Sequence, residues 1–139
     1  CKALDMDGFS EILICARDVQ KAETIKHIAH AKVKLHAWDD YKKLLPACNL
    51  LVNTTPLGMK GKDSLSVNIS ALPKEAVVYD IVYNPLMTTL LKQAQTRGFK
   101  VVDGLGMLMH QAVPCFEAWF SKRPQVTAEL REHLLEHLQ

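Results

Sequence analysis

Residues 76–106, AVVYDIVYNPLMTTLLKQAQTRGFKVVDGLG, decide the fold of this chain. Short apolar runs rich in Val, Ile and Tyr, which are typical of strands, alternate there with helical patterns. This alternation predicts an α/β fold with a mostly parallel sheet flanked by helices. The predicted elements are a strand at 76–82, a helix from Thr88 or Thr89 to about Arg97 that ends at Gly98, a strand at 100–102 and a helix at 105–120.

The flanking sequence continues the alternation, and we treat residues 1–139 as one domain. Continuous apolar runs predict two strands covered on both faces, whereas an alternating segment suits a half-exposed or edge strand. Pro114 predicts a local kink in the helix at 105–120. The further elements are strands at Glu11–Ala16 and 49–53, an edge strand at 33–38, a helix at 19–31 with Asp18 as N-cap, a short helix at 40–45, a loop at 54–68 and an amphipathic helix after Pro124.

Composition and charge exclude several classes of protein. The chain has 139 residues, of which 48% are hydrophobic, and its formal charge is only +2. We therefore expect neither a nucleic-acid interface nor a polybasic membrane surface. No apolar run of about 18 residues and no N-terminal signal pattern is present. The cysteines have no metal-binding spacing, so we expect buried free thiols in a reducing cytoplasm at Cys1, Cys15, Cys48 and Cys115.

Polar and small residues follow the carboxyl ends of the predicted strands, where open α/β sheets bind ligands. Arg17 and Lys21 lie four residues apart across a strand-to-helix turn and could bind one phosphate, or be ordinary surface cations of a solvated helix start. Asp18 could bind ribose hydroxyls or only cap the helix. The other strand ends are followed by residues 53–59, 82–85 and 103–106.

The remaining candidates have a structural interpretation beside the functional one. Gly104-x-Gly106 lacks the third glycine of the dinucleotide-binding fingerprint and also fits a tight turn. Tyr83 could be a core aromatic with its hydroxyl at the rim, and Gln111 a surface residue of its helix. His133 and His137 lie four residues apart without a third ligand suggested nearby, so we interpret them as a solvated helix face and predict no metal site.

Four segments together form a pattern that spans nearly the whole chain. They are Ala16-Arg17-Asp18 with Lys21-Ala22, Asn53-Thr54-Thr55-Pro56-Leu57-Gly58-Met59, Asp80-Ile81-Val82-Tyr83-Asn84-Pro85 with Thr89-Leu90-Leu91, and Asp103-Gly104-Leu105-Gly106-Met107-Leu108 with Gln111-Ala112. In this order they closely resemble the C-terminal half of the shikimate dehydrogenases, and the last segment is the most specific. The resemblance implies a partial Rossmann-like domain that lacks the first strand and the glycine-rich loop.

The resemblance also implies a function. The reaction would be NADP-dependent hydride transfer between 3-dehydroshikimate and shikimate, in the cytoplasmic biosynthesis of aromatic amino acids, with a homodimer left open. Arg17 and Lys21 would hold the 2′-phosphate, and Tyr83 and Gln111 would reach the small-molecule substrate. Ile81 and Gly104 would line the nicotinamide end of the cofactor. The full set of implied cofactor-binding residues is Arg17, Asp18, Lys21, Thr54, Thr55, Ile81 and Gly104.

Two departures and several absences qualify what the resemblance implies. Ala16 stands where the family has Asn and Asp18 where it has Thr, which leaves NAD and a quinate/shikimate dehydrogenase open. The family's glycine-rich loop and its Lys–Asp acid–base pair have no match, so we expect no catalytic residue in this chain and no activity from this segment alone. The alternatives are a truncated, inert paralogue and another NADP-linked enzyme such as a glutamyl-tRNA reductase.

The beginning of the chain suggests a longer parent protein. Residues 1–6 resemble the last turns of a helix rather than a natural start. A missing central strand would leave two strand edges unpaired, which invites pairing with another chain. We therefore expect either a longer native chain or a gap closed by direct pairing of residues 12–15 with residues 50–52.

Overall fold

A computed structural model describes residues 1–28 and 32–138. The chain divides into two compact units, Cys1–Ala47 and Cys48–Gln139. Parallel strands flanked by helices make up the regular structure of both units, as the sequence predicts. In the described part of the chain, no helix combines the length and the apolar character that crossing a membrane requires.

The first unit is a parallel pair of strands with short helices. Strand β1 pairs with β2 from Glu11 opposite Lys32 to Ala16 opposite Ala37, which confirms the parallel and edge-strand predictions. Ile12 is the buried residue of β1 and the others are half-buried or exposed, so the expectation of two covered faces is wrong. Only short helices accompany these strands within the unit. The elements are α1 (Lys2–Met6), β1 (Glu11–Ala16), α2 (Val19–Ala22), β2 (Lys32–Ala37) and α3 (Tyr41–Leu44), with 3₁₀ turns at Glu23–His27, Trp38–Asp40 and Leu45–Ala47.

The helix predicted at 19–31 is only partly an α-helix. It changes at Glu23 into a 3₁₀ turn. The hydroxyl of Thr24 donates a hydrogen bond of 3.3 Å to the carbonyl oxygen of Lys21, and such bonds compete with the regular helical pattern. The end of the prediction, at 29–31, lies outside the described residues.

The second unit is a three-stranded parallel sheet in the order β3-β4-β5. Leu50 lies opposite Val77, and Val77 lies opposite Lys100, so β4 is central. The β4-α4-β5 connection is the crossover unit that parallel strands require. The elements are β3 (Leu50–Asn53), β4 (Val77–Asp80), α4 (Thr89–Thr96), β5 (Lys100–Val102), α5 (Gly104–Phe120) and α6 (Ala128–His137).

The strands of the described residues form two sheets, not one. Strand β1 takes its partner from β2, and β3 takes its partner from β4. Direct pairing of residues 12–15 with residues 50–52, one of the two alternatives expected from the sequence, is not found among the described strands. Each strand instead pairs with a parallel neighbour within its own unit, where the hydrogen-bonded register is complete.

Helix α4 supplies much of the core of the second unit. Its N-cap Thr88 accepts a hydrogen bond of 3.3 Å from the backbone N–H of Leu91, and Gly98 follows its end with φ of +81°. This left-handed conformation suits glycine at a helix C-terminus. The buried side chains of α4 and its surroundings include Leu90, Leu91, Ala94, Ile69, Val78 and Leu105.

Helix α5 runs through Pro114 from Gly104 to Phe120. Proline removes one backbone donor there but does not end the helix. The helix ends at Ser121, whose φ of 53° is left-handed. Helix α6 follows, and none of its described side chains is buried.

The expectation of buried thiols holds only in part. No disulfide joins the cysteines of the described residues. Cys15 and Cys48 are half-buried, and burial raises the pKa of the Cys48 thiol. Cys1 and Cys115 are exposed, so the expectation is wrong for both.

The packing of α4 makes a stability prediction. Leu91 is fully buried, so Leu91→Ala leaves a cavity and should lower the free energy of unfolding by about 2–5 kcal/mol. Leu130→Ala is the control, since Leu130 is 39% exposed, and it should change the free energy by about 0.5 kcal/mol. Urea unfolding followed by circular dichroism measures both. Equal losses for the two variants would contradict the assigned core.

Candidate functional site

A cleft of about 580 Å³ opens at the carboxyl ends of β3 and β4. This is the edge of a parallel sheet where α/β proteins bind ligands, so the sequence-based expectation of its position is met. Its wall combines apolar and hydroxyl-bearing side chains, a combination suited to a small organic ligand. The lining residues are Thr54, Thr55, Pro56, Met59, Lys60, Ile81, Val82, Tyr83, Asn84 and Met107.

A buried polar cluster lies behind this wall. Asp80, the last residue of β4, is 0% exposed and accepts hydrogen bonds through both side-chain oxygens. Its Oδ1 accepts from the Asn53 side-chain amide and from the Val82 backbone N–H, each at 3.0 Å. Its Oδ2 accepts from the Thr88 hydroxyl at 2.7 Å. The cluster satisfies a group whose burial would otherwise be strongly unfavourable.

Asn53 connects the buried cluster to the loop after β3. Its Oδ1 accepts from the backbone N–H of Thr55 at 2.9 Å and from the Thr55 hydroxyl at 2.8 Å. Its Nδ2 also donates to the carbonyl oxygen of Leu57 at 3.1 Å. The two sides of this amide thus fix the loop that presents Thr54 and Thr55 to the cleft.

Gly104 allows the start of α5 to lie directly against the segment after β4. A Cβ at this position would lie 2.1 Å from the carbonyl oxygen of Ile81, a separation that real Cβ atoms do not adopt. The backbone N–H of Gly104 also donates to the carbonyl oxygen of Val82 at 3.3 Å. The glycine is therefore required by close backbone packing behind the cleft wall.

Helix α6 is tied to the start of α5 by a two-pronged ion pair. The guanidinium of Arg131 donates to both oxygens of Asp103, at 3.2 and 2.5 Å. Asp103 is the N-cap of α5 and accepts from the backbone N–H of Leu105 at 3.0 Å. Burial raises the pKa of the nearby Tyr79 hydroxyl, and the charges of Asp103 and Asp80 raise it further.

The structure brings together four of the residues that the sequence singled out. Thr54, Thr55, Ile81 and Tyr83 all line the cleft. Tyr83 is half-buried, and its side chain forms part of the wall.

Two further predicted residues lie beside the cleft rather than in its wall. Gly104 is buried and supports the wall from behind. Gln111 is exposed on α5, one helical turn beyond Met107, which does line the cleft. The helix pitch explains this, because residues four apart share a face but differ in position along the axis by about 6 Å.

Arg17, Asp18 and Lys21 lie in the first unit, at the turn after β1, and all three are exposed. Asp18 caps α2 by accepting a hydrogen bond of 3.1 Å from the backbone N–H of Lys21. The Lys21 ammonium lies 3.6 Å from the same carboxylate. The structure therefore supports the capping interpretation of Asp18 and leaves Arg17 as the exposed cation beside it.

Some residues of the site were not found from the sequence. Lys60 and Met107 line the cleft, although the sequence analysis assigns neither of them a role. Asp80 had a usable signal: an acidic residue inside a strongly apolar strand implies a buried hydrogen-bond partner.

One group of potential metal ligands is present among the described residues. His133, Glu136 and His137 on α6 place their ligand atoms within 4.8 Å of one another, so a third ligand does lie beside the two histidines. All three are exposed, and Nδ1 of His137 lies 2.8 Å from the carbonyl oxygen of His133. The absence of a metal site stays a prediction.

The two glycines of α5 provide a matched test of the packing behind the cleft. Gly104→Ala should lower the free energy of unfolding by about 1–3 kcal/mol, because the added methyl group must displace the Ile81–Val82 backbone. Gly106→Ala meets no atom within 4 Å and should raise it by about 0.5–1 kcal/mol through helix propensity. Urea unfolding of both variants decides, and the same sign of change in both would refute the assigned packing.

Comparisons with known proteins agree with this architecture. No protein-family model matches the chain. A curated relative, the shikimate dehydrogenase (NADP(+)) of Methylobacterium radiotolerans, is 50% identical over 131 residues, which are 94% of this chain and 46% of that protein. The chain therefore spans about half the length of the curated relatives that it matches.

Solved structures show the same likeness. The quinate dehydrogenase of Corynebacterium glutamicum, in complex with NAD, is similar with a TM-score of 0.85 and 29% identity, covering 96% of this chain and 49% of that one. The shikimate 5-dehydrogenase of Thermus thermophilus, in complex with NADP(H) and shikimate, gives a TM-score of 0.70 and 27% identity, covering 88% and 44%. Over the segment that it spans, the chain is a homologue of the shikimate dehydrogenases.

Proposed function

We propose that this chain forms the cofactor-facing part of an NADP-dependent shikimate dehydrogenase. The observation that carries the proposal is the cleft at the ends of β3 and β4, where Thr54, Thr55, Ile81 and Tyr83 meet. A chain 50% identical to a shikimate dehydrogenase over 131 residues supports the same assignment. The whole reaction is hydride transfer between 3-dehydroshikimate and shikimate.

The cleft suits the reactive end of a nicotinamide cofactor. Ile81, Val82 and Met107 offer apolar surface against which a flat ring can lie, and Thr54 and Thr55 offer hydroxyls at its edge. When bound, the cofactor supplies the hydride acceptor and donor. The residues of this chain orient the ring and exclude water on one side, which places the reacting atoms close together.

Tyr83 is the proposed substrate contact of the cleft. Its hydroxyl can donate to or accept from a polar group of shikimate. Gln111 lies one turn beyond the wall residue Met107 and is exposed, which suits contact with a ligand that extends out of the cleft. Proton transfer is assigned to no residue of this chain, and a Lys–Asp pair in the parent protein stays a prediction.

Arg17 is the main proposed ligand of the 2′-phosphate of NADP. Its planar guanidinium suits a phosphate, and it is exposed at the end of β1. The Lys21 ammonium lies 3.6 Å from the Asp18 carboxylate, which partly neutralises its charge. Its proposed contribution to phosphate binding is therefore smaller than that of Arg17. Because Asp18 is engaged as the cap of α2, it competes less for the ribose hydroxyls of NAD.

A quinate dehydrogenase that uses NAD is the second candidate function. The specific observation in its favour is the similarity to the Corynebacterium glutamicum quinate dehydrogenase, with a TM-score of 0.85 over 96% of this chain. The acidic residue Asp18 beside Arg17 is the local feature that fits it. A cytoplasmic location and a homodimer stay predictions from the sequence.

The first experiment tests the reaction itself. The 139-residue chain alone should not oxidise shikimate with NADP, because no acid–base pair is found in it. A chimera in which this chain replaces the 131 matched residues of the Methylobacterium radiotolerans enzyme should oxidise shikimate with NADP. NADPH absorbance measures both, with quinate and NAD as the alternative pair. Activity of the chain alone, or a folded but inactive chimera, would contradict the proposal.

The second experiment tests the phosphate site within that chimera. Arg17→Ala should lower the preference for NADP over NAD by about tenfold or more, since one charged contact to the phosphate is lost. Lys32→Ala is the control, because Lys32 begins β2 and so lies at the opposite, amino edge of the parallel pair. The ratio of kcat/KM for the two cofactors is measured. An unchanged ratio in Arg17→Ala would remove this residue from the phosphate site.

A further inference from the structure

The buried carboxyl group of Asp80 connects the separate segments that build the cleft. Three donors converge on it: the Asn53 amide, the Val82 backbone N–H and the Thr88 hydroxyl. They come from the end of β3, the segment after β4 and the N-terminus of α4. Asp80 itself does not line the cleft and is 0% exposed.

We propose that Asp80, Asn53 and Thr88 form a positioning hub that holds the two facing walls of the nicotinamide and substrate cleft in register. The inference rests on the proposed function, because that function assigns the ligands of the cleft. These residues touch no ligand, and their effect on catalysis is transmitted through Thr55 and the Ile81–Tyr83 segment.

One arm of the hub fixes the loop after β3. Asn53 donates to Asp80, which orients its amide so that its oxygen faces Thr55 and accepts both the backbone N–H and the hydroxyl. The Thr55 hydroxyl then accepts from the backbone N–H of Leu57 at 3.2 Å. Loss of the Asp80 contact leaves this amide held only by Thr55 and Leu57, which loosens the loop that carries Thr54 and Thr55.

The other arm fixes the segment after β4. Oδ1 of Asp80 accepts from the backbone N–H of Val82, two residues on, which holds the backbone on both sides of Ile81. Ile81 and Tyr83 of this segment line the cleft wall, while Gly104 packs against Ile81 from behind. The hydrogen bond at the end of β4 therefore fixes the position of the backbone immediately before Tyr83.

Thr88 completes the hub and links it to α4. Its hydroxyl donates to Asp80 and accepts from the backbone N–H of Leu91, so it has a dual role as hub member and helix cap. Its methyl group lies 3.5 Å from the position that a Cβ on Gly58 would occupy, which also places it against the loop after β3. Thr88 is 1% exposed, so a lost hydroxyl cannot be replaced by bulk water.

The chain offers a matched pair of threonine caps for the test. Thr127 caps α6 by accepting from the backbone N–H of Leu130 at 3.2 Å, as Thr88 caps α4, but it is not part of the hub. Thr88→Val and Thr127→Val each remove one helix cap with nearly unchanged volume. Thr88→Ser keeps the hydroxyl and serves as the conservative rescue.

The first measurement uses the full chain and does not depend on activity. In Thr88→Val, amide hydrogen exchange at Thr55 and Val82 should accelerate by about tenfold or more, beyond any change at Leu130. Thr127→Val should accelerate exchange at Leu130 and leave Thr55 and Val82 unchanged, and Thr88→Ser should resemble the unmodified chain. Equal acceleration at all three amides in Thr88→Val would mean general destabilisation and would overturn the hub.

The second measurement uses the chimera with the Methylobacterium radiotolerans enzyme. Per folded enzyme, Thr88→Val should lower kcat for shikimate oxidation by about tenfold to a hundredfold while KM for NADP changes by less than about twofold, because orientation is lost at the reacting end. Thr88→Ser should restore kcat, and Thr127→Val should leave it unchanged. An unaltered kcat in Thr88→Val would reject the hub with the function intact. An inactive unmodified chimera would reject the function, and hydrogen exchange would still decide the hub.

Discussion

The buried carboxyl group of Asp80 is the constraint on which the rest of the second unit depends. An acidic side chain that is 0% exposed requires donors for both oxygens, and three segments of the chain supply them. Its hydrogen bonds join the end of β3, the segment after β4 and the start of α4. Two of these segments carry lining residues of the cleft next to a donor, Thr54 after Asn53 and Ile81 and Tyr83 on either side of Val82.

A second constraint acts on the same backbone from the opposite side. Gly104 lets α5 begin in direct contact with Ile81 and Val82, and no side chain larger than hydrogen fits between them. The Arg131–Asp103 ion pair then ties α6 to the first turn of α5. The segment that carries Tyr83 is thus held between a hydrogen-bonded cluster and a close backbone contact, which favours a cleft formed before any ligand binds.

The proposed cofactor-binding residues differ in character. The phosphate candidates Arg17 and Lys21 are exposed, and their proposed contribution is charge. The cleft residues range from exposed to buried, and their proposed contribution is shape and orientation. Asp18 has a local structural role, since its carboxylate caps α2 and lies 3.6 Å from the Lys21 ammonium.

Periodicity and turn residues by themselves determined the helices and strands of 76–120 and the edge at which the candidate residues gather, because apolar spacing and the helix-end residues Thr88 and Gly98 act locally. Local patterns did not predict the Asn53–Asp80–Thr88 cluster, because it joins residues up to 35 positions apart in the sequence. Sequence also placed Gly104 at a ligand, whereas its tightest contact is the Ile81 backbone. Tertiary structure decided these points, since burial and close approach between distant segments arise only when the chain is folded.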